Sequence, residues 1–304
     1  MGKLKSEITL YRVLDKLFQY IFRKLPQTNR TEKWALWWGF RFRSPPKVVK
    51  LRTGKLMKVD PTDYLQCLIY YFGMFEPQCI KIFESLITEG DIVIDIGGNI
   101  GLYSIIGSTR VGKHGNIYTF EPAPFHCETI KYNAELNGME NIKIIQTALS
   151  DFIGKIKLAL PIGSNKGGYT IANLGGEEAA ELEIEVNVTT LDKYISDKNI
   201  NLKKLSLIKM DIEGAEILAL KGMSNILNSK PTILMEINDV ALARFNSSSD
   251  ALCRELEKLG YRGWIIKLPH TVTEINFKKI NFAETIWVHQ NNTRHMHALK
   301  EFTS

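Results

Sequence analysis

The sequence has no run approaching the 20 or so apolar residues that a membrane-spanning helix needs. Its first residues also lack the apolar core and small-residue cleavage site of a secretory signal. Cysteine is scarce: Cys67, Cys79, Cys127 and Cys253 are scattered through 304 residues with no C-x-x-C pair. That excludes a disulfide framework or a zinc cluster and fits reduced thiols in a cytoplasmic protein. Acidic residues are sparse at one end only. Residues 1–60 hold 15 Lys/Arg against 4 Asp/Glu, a net +11 within an overall +6, so the remainder carries about −5. A basic surface confined to one end argues against a nucleic-acid groove running across the protein.

What the basic end does contain is amphipathic. Leu10, Leu14, Leu17, Phe18, Ile21, Phe22 and Leu25 recur at helical spacing, with Arg12, Asp15, Lys16, Gln19 and Arg23 opposite. Trp34, Trp37 and Trp38 follow among basic residues, and Pro45-Pro46 closes the segment. Such a segment either packs on a catalytic core or lies on an anionic membrane surface, so residues 1–46 are a candidate peripheral contact. "KVVKLRTGKLMKVD" reads as a hairpin with its turn at Thr53-Gly54. Residues 1–60 are therefore expected to form a basic extension, and residues 61–304 a single catalytic domain.

From Asp91 onward apolar strand patterns alternate with helical ones: "IVIDIG", "NIYTFEP", "IKIIQTAL", "LSLIKMD" and "PTILMEIN", then "YRGWIIK" and "ETIWVHQ". "KIKLALP" and "EIEVNVTTL" add a strand pair around a glycine-rich loop. Regular alternation predicts an α/β fold, a doubly wound open sheet whose ligands gather at the carboxyl ends of its strands. The first strand ends in "DIGGNIG". A dinucleotide fingerprint wants a middle glycine where this loop has Asn99, and Asp95 would repel a pyrophosphate. A cationic nucleoside without phosphate meets no such penalty, and S-adenosylmethionine is one. Gly97 and Gly101 give clearance, and Asn99 can reach the amino acid end. Glu121 falls 20 residues beyond Gly101, where a carboxylate can accept both hydroxyls of a ribose. Asp151, after the third strand, is a candidate for the adenine amino group.

In this order the segments resemble the FkbM family of S-adenosylmethionine-dependent methyltransferases. "GDIVIDIGGNIGLYS" resembles its cofactor loop, "FEPAP" its ribose segment, and "LIKMDIEGAE" and "KPTILMEIN" its fourth and fifth strands. The resemblance covers about residues 70–240. It implies a Rossmann-like seven-stranded sheet with one antiparallel strand, and O-methylation of sugars or other small hydroxylated metabolites. "KMDIEGAE" puts carboxylates where an acceptor hydroxyl would lose its proton. Asp211 is the first choice as base or acceptor-orienting group, and Glu213 is its rival. Glu216 falls in a first helical turn, where acids also favour the helix dipole. Glu236, Asn238 and Asp211 could form an oxygen-rich cation site, but no metal-ligand spacing fixes one. The alternatives are a non-catalytic nucleoside-binding module and an NAD-linked oxidoreductase. The expected acceptor is a small molecule, carbohydrate or glycolipid, not nucleic acid.

Overall fold

A computed structural model describes residues 2–160, 170–171, 182–275 and 280–303. The glycine-rich loop after "KIKLALP" lies outside the described residues except for Thr170–Ile171. The chain divides into two compact units, the first running to Pro77 and the second from Gln78. Residues 61–77, which the sequence reading joined to the catalytic domain, cluster with the first unit.

In the first unit, α1 (Gly2–Lys24) and α2 (Asn29–Phe42) precede a hairpin of β1 (Lys47–Lys50) and β2 (Leu56–Val59), and α3 (Tyr64–Phe72) closes it. Thr28 starts α2 with a reciprocal cap: its hydroxyl accepts the Thr31 N–H, and Thr31 Oγ1 accepts the Thr28 N–H at 2.9 Å. Asp63 caps α3 by accepting the Gln66 N–H at 3.0 Å, and Gly73 ends that helix at φ +72°. Helix α1 turns an unexpected face inward. Phe22 is buried with ring centroids 5.5 Å from both Tyr71 and Phe72, while Leu17 and Ile21 are exposed. Asp15, expected on the solvent side, is buried and accepts bonds from Tyr70 (2.7 Å), Tyr71 (2.8 Å), Ser44 (2.9 Å) and Lys47 (3.1 Å). Burial works to raise its pKa, but these donors hold the carboxyl below its ordinary value. Two tyrosine hydroxyls drawn into the core need a common acceptor, and this requirement sets the rotation of the helix.

The second unit is built on an eight-stranded sheet. Its strands are β3 (Ile92–Ile96), β4 (Asn116–Phe120), β5 (Ile142–Ile145), β10 (Leu205–Met210), β11 (Thr232–Asn238), β12 (Tyr261–Lys267), β13 (Thr271–Glu274) and β14 (Phe282–His289). A separate four-stranded sheet holds β6 (Ala148–Leu149), β7 (Gly154–Leu160), β8 (Thr170–Ile171) and β9 (Leu182–Thr189). The large sheet runs β13-β12-β14-β11-β10-β3-β4-β5. From β11 to β5 every pair is parallel, and β14 is antiparallel to both its neighbours. The seven expected strands are present with one reversed, and β13 adds an eighth at the edge, antiparallel to β12. The run "IKIIQTAL" is not one strand: it breaks after Ile145, and Ala148–Leu149 pairs with β9 in the small sheet.

Burial explains the parallel strands. Every residue of β3 and β10 is buried, as expected for strands covered on both faces. Ile94, Ile96, Ile208, Met210, Met235 and Trp287 belong to one buried cluster at the centre of this unit. Each buried side chain of this size contributes about 1.5–3 kcal/mol. The two charges in these strands, Asp95 and Lys209, are therefore conspicuous.

Candidate functional site

Three strand ends converge. In the sheet register Lys209, Asp95 and Thr119 lie side by side on β10, β3 and β4. Asp95 is 1% exposed; its Oδ2 accepts the Ser104 hydroxyl at 2.5 Å, and Ser104 Oγ lies 2.6 Å from Thr119 Oγ1. Burial raises the Asp95 pKa, with repulsion from Asp211 and Glu121 acting the same way and Lys209 and Ser104 pulling against it. Lys209 is buried as well, its ammonium 3.0 Å from Asp211 Oδ2 and 4.9 Å from the centroid of the Tyr103 ring. In the sequence Lys209 shows only as a charge inside the apolar run "LSLIKM", and its neighbour Asp95 lies on another strand.

The loop after β3 is fixed by backbone bonds. The N–H groups of Gly97 and Gly98 donate to the Phe120 carbonyl at 2.9 and 3.2 Å. The Asp211 N–H donates to the Ile96 carbonyl at 3.0 Å, tying this loop to the one after β10. Gly97 sits at φ +80°, and a Cβ there would collide with the Asp211 carbonyl, so two independent constraints demand glycine. Gly101, at φ +88°, opens the helix Leu102–Val111. Asn99, a non-glycine at φ +49°, donates its N–H to Glu121 Oε2 at 2.8 Å. The amide a pyrophosphate would need is therefore already occupied by a carboxylate.

Glu121 is buried, and its Oε1 accepts the Ala123 N–H at 2.9 Å. His126, read from sequence as isolated, lies buried with Nδ1 3.8 Å from that same oxygen. A carboxylate has about four acceptor positions, so these bonds leave Glu121 able to take ligand hydroxyls. Two further buried oxygens, Asp95 Oδ1 and Asn99 Oδ1, have no hydrogen-bond partner among the described residues. Both are acceptors. A ligand that matches them must bring donors or positive charge, as the ammonium and ribose hydroxyls of S-adenosylmethionine do. The residues present fit that cofactor.

After β10 the chain makes a tight turn through Asp211, Ile212, Glu213 and Gly214. Glu213 stands at φ +54° and Gly214 at φ +104°, with the Ala241 carbonyl where a Cβ on Gly214 would go. Buried Glu216 holds this turn: its Oε1 accepts the N–H groups of Ile212 at 3.1 Å and Gly214 at 3.3 Å. Burial pushes its carboxyl up to about 7. Burial, then the like charges of Asp211 and Glu216, push Glu213 up to about 7 as well, against the pull of Arg244 and Lys209. The Asp211 side chain is 40% exposed and carries the ion pair with Lys209. Asn238 Oδ1 is engaged as the cap of the helix Asp239–Ala243, accepting the Ala241 N–H at 3.2 Å.

Asp95, Gly97, Asn99, Gly101 and Glu121 thus form one connected set, and Asp211 joins it through Ile96. Asp211 leads in turn to Glu213. Asp151 stands apart: it is exposed beyond β6, and its carboxylate accepts the Ser150 hydroxyl at 3.2 Å.

Counted along the chain, the large sheet without its edge strand runs 3-2-1-4-5-7-6 with the seventh strand reversed. That order, with donor-seeking oxygens at the ends of the first strands, defines a Rossmann-like methyltransferase. The profile of the methyltransferase FkbM domain matches residues 95–262, more than half of the chain, and the chain belongs to that family. It is an S-adenosylmethionine-dependent methyltransferase. Among curated proteins, methyltransferase sdnD of Sordaria araneosa is 27% identical over 56% of this chain and 76% of its own length. Hexuronic acid methyltransferase AglP of Haloferax volcanii is 27% identical over 54% and 62%. 31-O-demethyl-FK506 methyltransferase FkbM of Streptomyces tacrolimicus is 26% identical over 51% and 68%. Among solved structures, an S-adenosylmethionine-dependent O-methyltransferase from Thermotoga maritima is 12% identical with a TM-score of 0.38, over 82% of this chain and 80% of that one. An rRNA methylase from Streptococcus thermophilus is 12% identical with a TM-score of 0.39, over 69% and 94%. At these scores the strand order, not the superposition, carries the fold.

Proposed function

We propose that this enzyme methylates a hydroxyl oxygen, on a sugar, glycolipid or other small metabolite, in the cytoplasm. The observation that carries the reading is Glu213: a carboxyl with its pKa near 7, beside Asp211, on a left-handed turn at the end of the fourth strand. An aliphatic hydroxyl is a poor nucleophile, and a base whose pKa lies near the working pH is the group that activates it. Asp211 was the first choice from sequence. Its carboxylate is engaged by the Lys209 ammonium at 3.0 Å, so Glu213 becomes the base and Asp211 the group that orients the acceptor.

In this reading Asp95 and Asn99 hold the amino acid end of the cofactor, and Glu121 accepts its ribose hydroxyls. Gly97 and Gly101 allow close approach, and Asp151 takes the adenine amino group. When bound, S-adenosylmethionine supplies a methyl carbon activated by its sulfonium. Glu213 would take the proton from the acceptor's hydroxyl, while the cofactor would give up its methyl group to that oxygen and leave as the neutral thioether. Lys209, partnered with Asp211, sets a basic group among the carboxylates and limits their repulsion. The relative named for 31-O-demethyl-FK506 supports an oxygen acceptor, and the one named for a hexuronic acid supports a sugar-derived one.

The test is transfer from carbon-13-labelled S-adenosylmethionine to a panel of sugars, uronic acids and glycolipids, with products read by NMR. A methyl ether signal is expected. Methyl appearing only on nitrogen, or only as a carboxylate ester, would refute the oxygen-ether assignment.

A further inference from the structure

The outward faces of the first unit's two long helices have an unusual composition. On α2, Arg30, Lys33, Trp34, Trp37 and Arg41 are all exposed and recur at i, i+3, i+4, i+7 and i+11, which is one stripe of a helix. Ala35 and Gly39 are buried on the opposite side. Trp34 is 51% exposed and Trp37 66%, and the Arg30 guanidinium lies 4.8 Å from the Trp34 ring centroid. The outward face of α1 repeats the composition: Val13 (59%), Leu17 (49%) and Tyr20 (59%) are exposed, with exposed Lys16 and Lys24 among them. Acids are missing from both stripes. Among the described side chains of the two helices, Asp15 is buried, and Glu32 is half-buried and bonded to Gln27 at 3.0 Å.

Each helix therefore shows water a line of large apolar side chains edged by cations. Indole rings favour the boundary between a wet and an apolar phase, and Lys and Arg extend their charged ends to phosphates while their stems stay in the apolar layer. A two-fold contact with a second copy would set this cationic stripe against itself, which like charges disfavour. No described helix is long and apolar enough to cross a membrane, so a face that enters lipid must lie flat. We propose that the outward faces of residues 13–24 and 30–41 dock the chain peripherally on an anionic phospholipid surface. The inference uses the first unit alone and does not depend on the acceptor of the methyl group.

The test is co-sedimentation of the full chain with vesicles of phosphatidylcholine alone or mixed with phosphatidylglycerol. Wild-type protein is expected to bind the mixed vesicles, to release as salt rises, and to shift its tryptophan emission to the blue. Each basic residue near an anionic surface is worth roughly a fivefold gain in partitioning, so R30Q/K33Q/R41Q should bind about a hundredfold more weakly. W34S/W37S should lose both binding and the emission shift. All five side chains point to solvent, so melting temperature and circular dichroism should be unchanged in both variants. Equal binding to both vesicle types, or unchanged binding by the charge variant, overturns the proposal. So does a dimer, seen by sedimentation velocity without vesicles, that W34S/W37S disperses, because the face then belongs to a second copy. The two variants report separately, so misfolding of one leaves the other decisive.

Discussion

Replacing Glu213 with glutamine should make the protein more stable and nearly inactive. The side-chain pKa rises from an ordinary 4.5 to about 7 in the fold, chiefly through burial beside Asp211 and Glu216. A raised carboxyl contributes its full stability below the unfolded pKa and loses it as pH rises through the folded one. Wild-type protein therefore loses stability between pH 4.5 and 7, by up to about 3 kcal/mol at 1.36 kcal/mol per pKa unit. The neutral Glu213→Gln side chain escapes that penalty. Thermal melts without cofactor should show the variant more stable by several degrees at pH 8 and equal to wild type near pH 4. Turnover should fall by roughly 10²–10⁴, the usual contribution of a general base. The wild-type pH–rate profile should rise to a plateau above about pH 7, and the variant should lack that limb. A variant that keeps both its turnover and its rising limb would refute the assignment and move the base to Asp211.

Other perturbations probe the scaffold. Asp15→Asn removes a buried carboxylate that accepts from two tyrosines and pairs with Lys47, so a loss of about 3–5 kcal/mol is expected in denaturant unfolding. Its lowered pKa has the opposite sign to Glu213. The stability it provides is present above the unfolded value near 3.8 and is lost as pH falls through the folded one, so the variant should have a flatter acid limb. Gly97→Ala meets both a positive φ and the Asp211 carbonyl. It should abolish cofactor binding in calorimetry, while Gly90→Ala, at φ +88° with open space around it, should not.

The sheet was readable in advance because each parallel strand is a short apolar run that ends in a turn residue. Asp95, Gly97 and Glu121 could be named because strand ends gather ligands, so position along the chain stood in for position in space. Lys209 was missed for the converse reason. Its role depends on register with Asp95 across two strands 114 residues apart, which no local pattern encodes. The elevated Glu213 carboxyl depends chiefly on burial, then on the nearby charges of Asp211 and Glu216, at a left-handed position that "DIEGAE" does not announce. Glu216, read beside the helix dipole, proves to hold the turn by accepting Ile212 and Gly214. Helix α1 was rotated in the sequence reading because apolar periodicity alone cannot see that Asp15 has partners 55 and 56 residues away.

Donor-seeking oxygens at the head of the sheet select the ligand. Titration calorimetry of S-adenosylmethionine against wild type and Asp95→Asn, with NAD as the control ligand, examines them directly. Wild type should bind the methyl donor and ignore the dinucleotide. Replacing the Asp95 carboxyl should weaken binding of the donor by roughly ten- to a hundredfold, the range for one hydrogen bond to a charged ammonium. Unchanged affinity in the variant, or tight binding of NAD by wild type, would contradict the account.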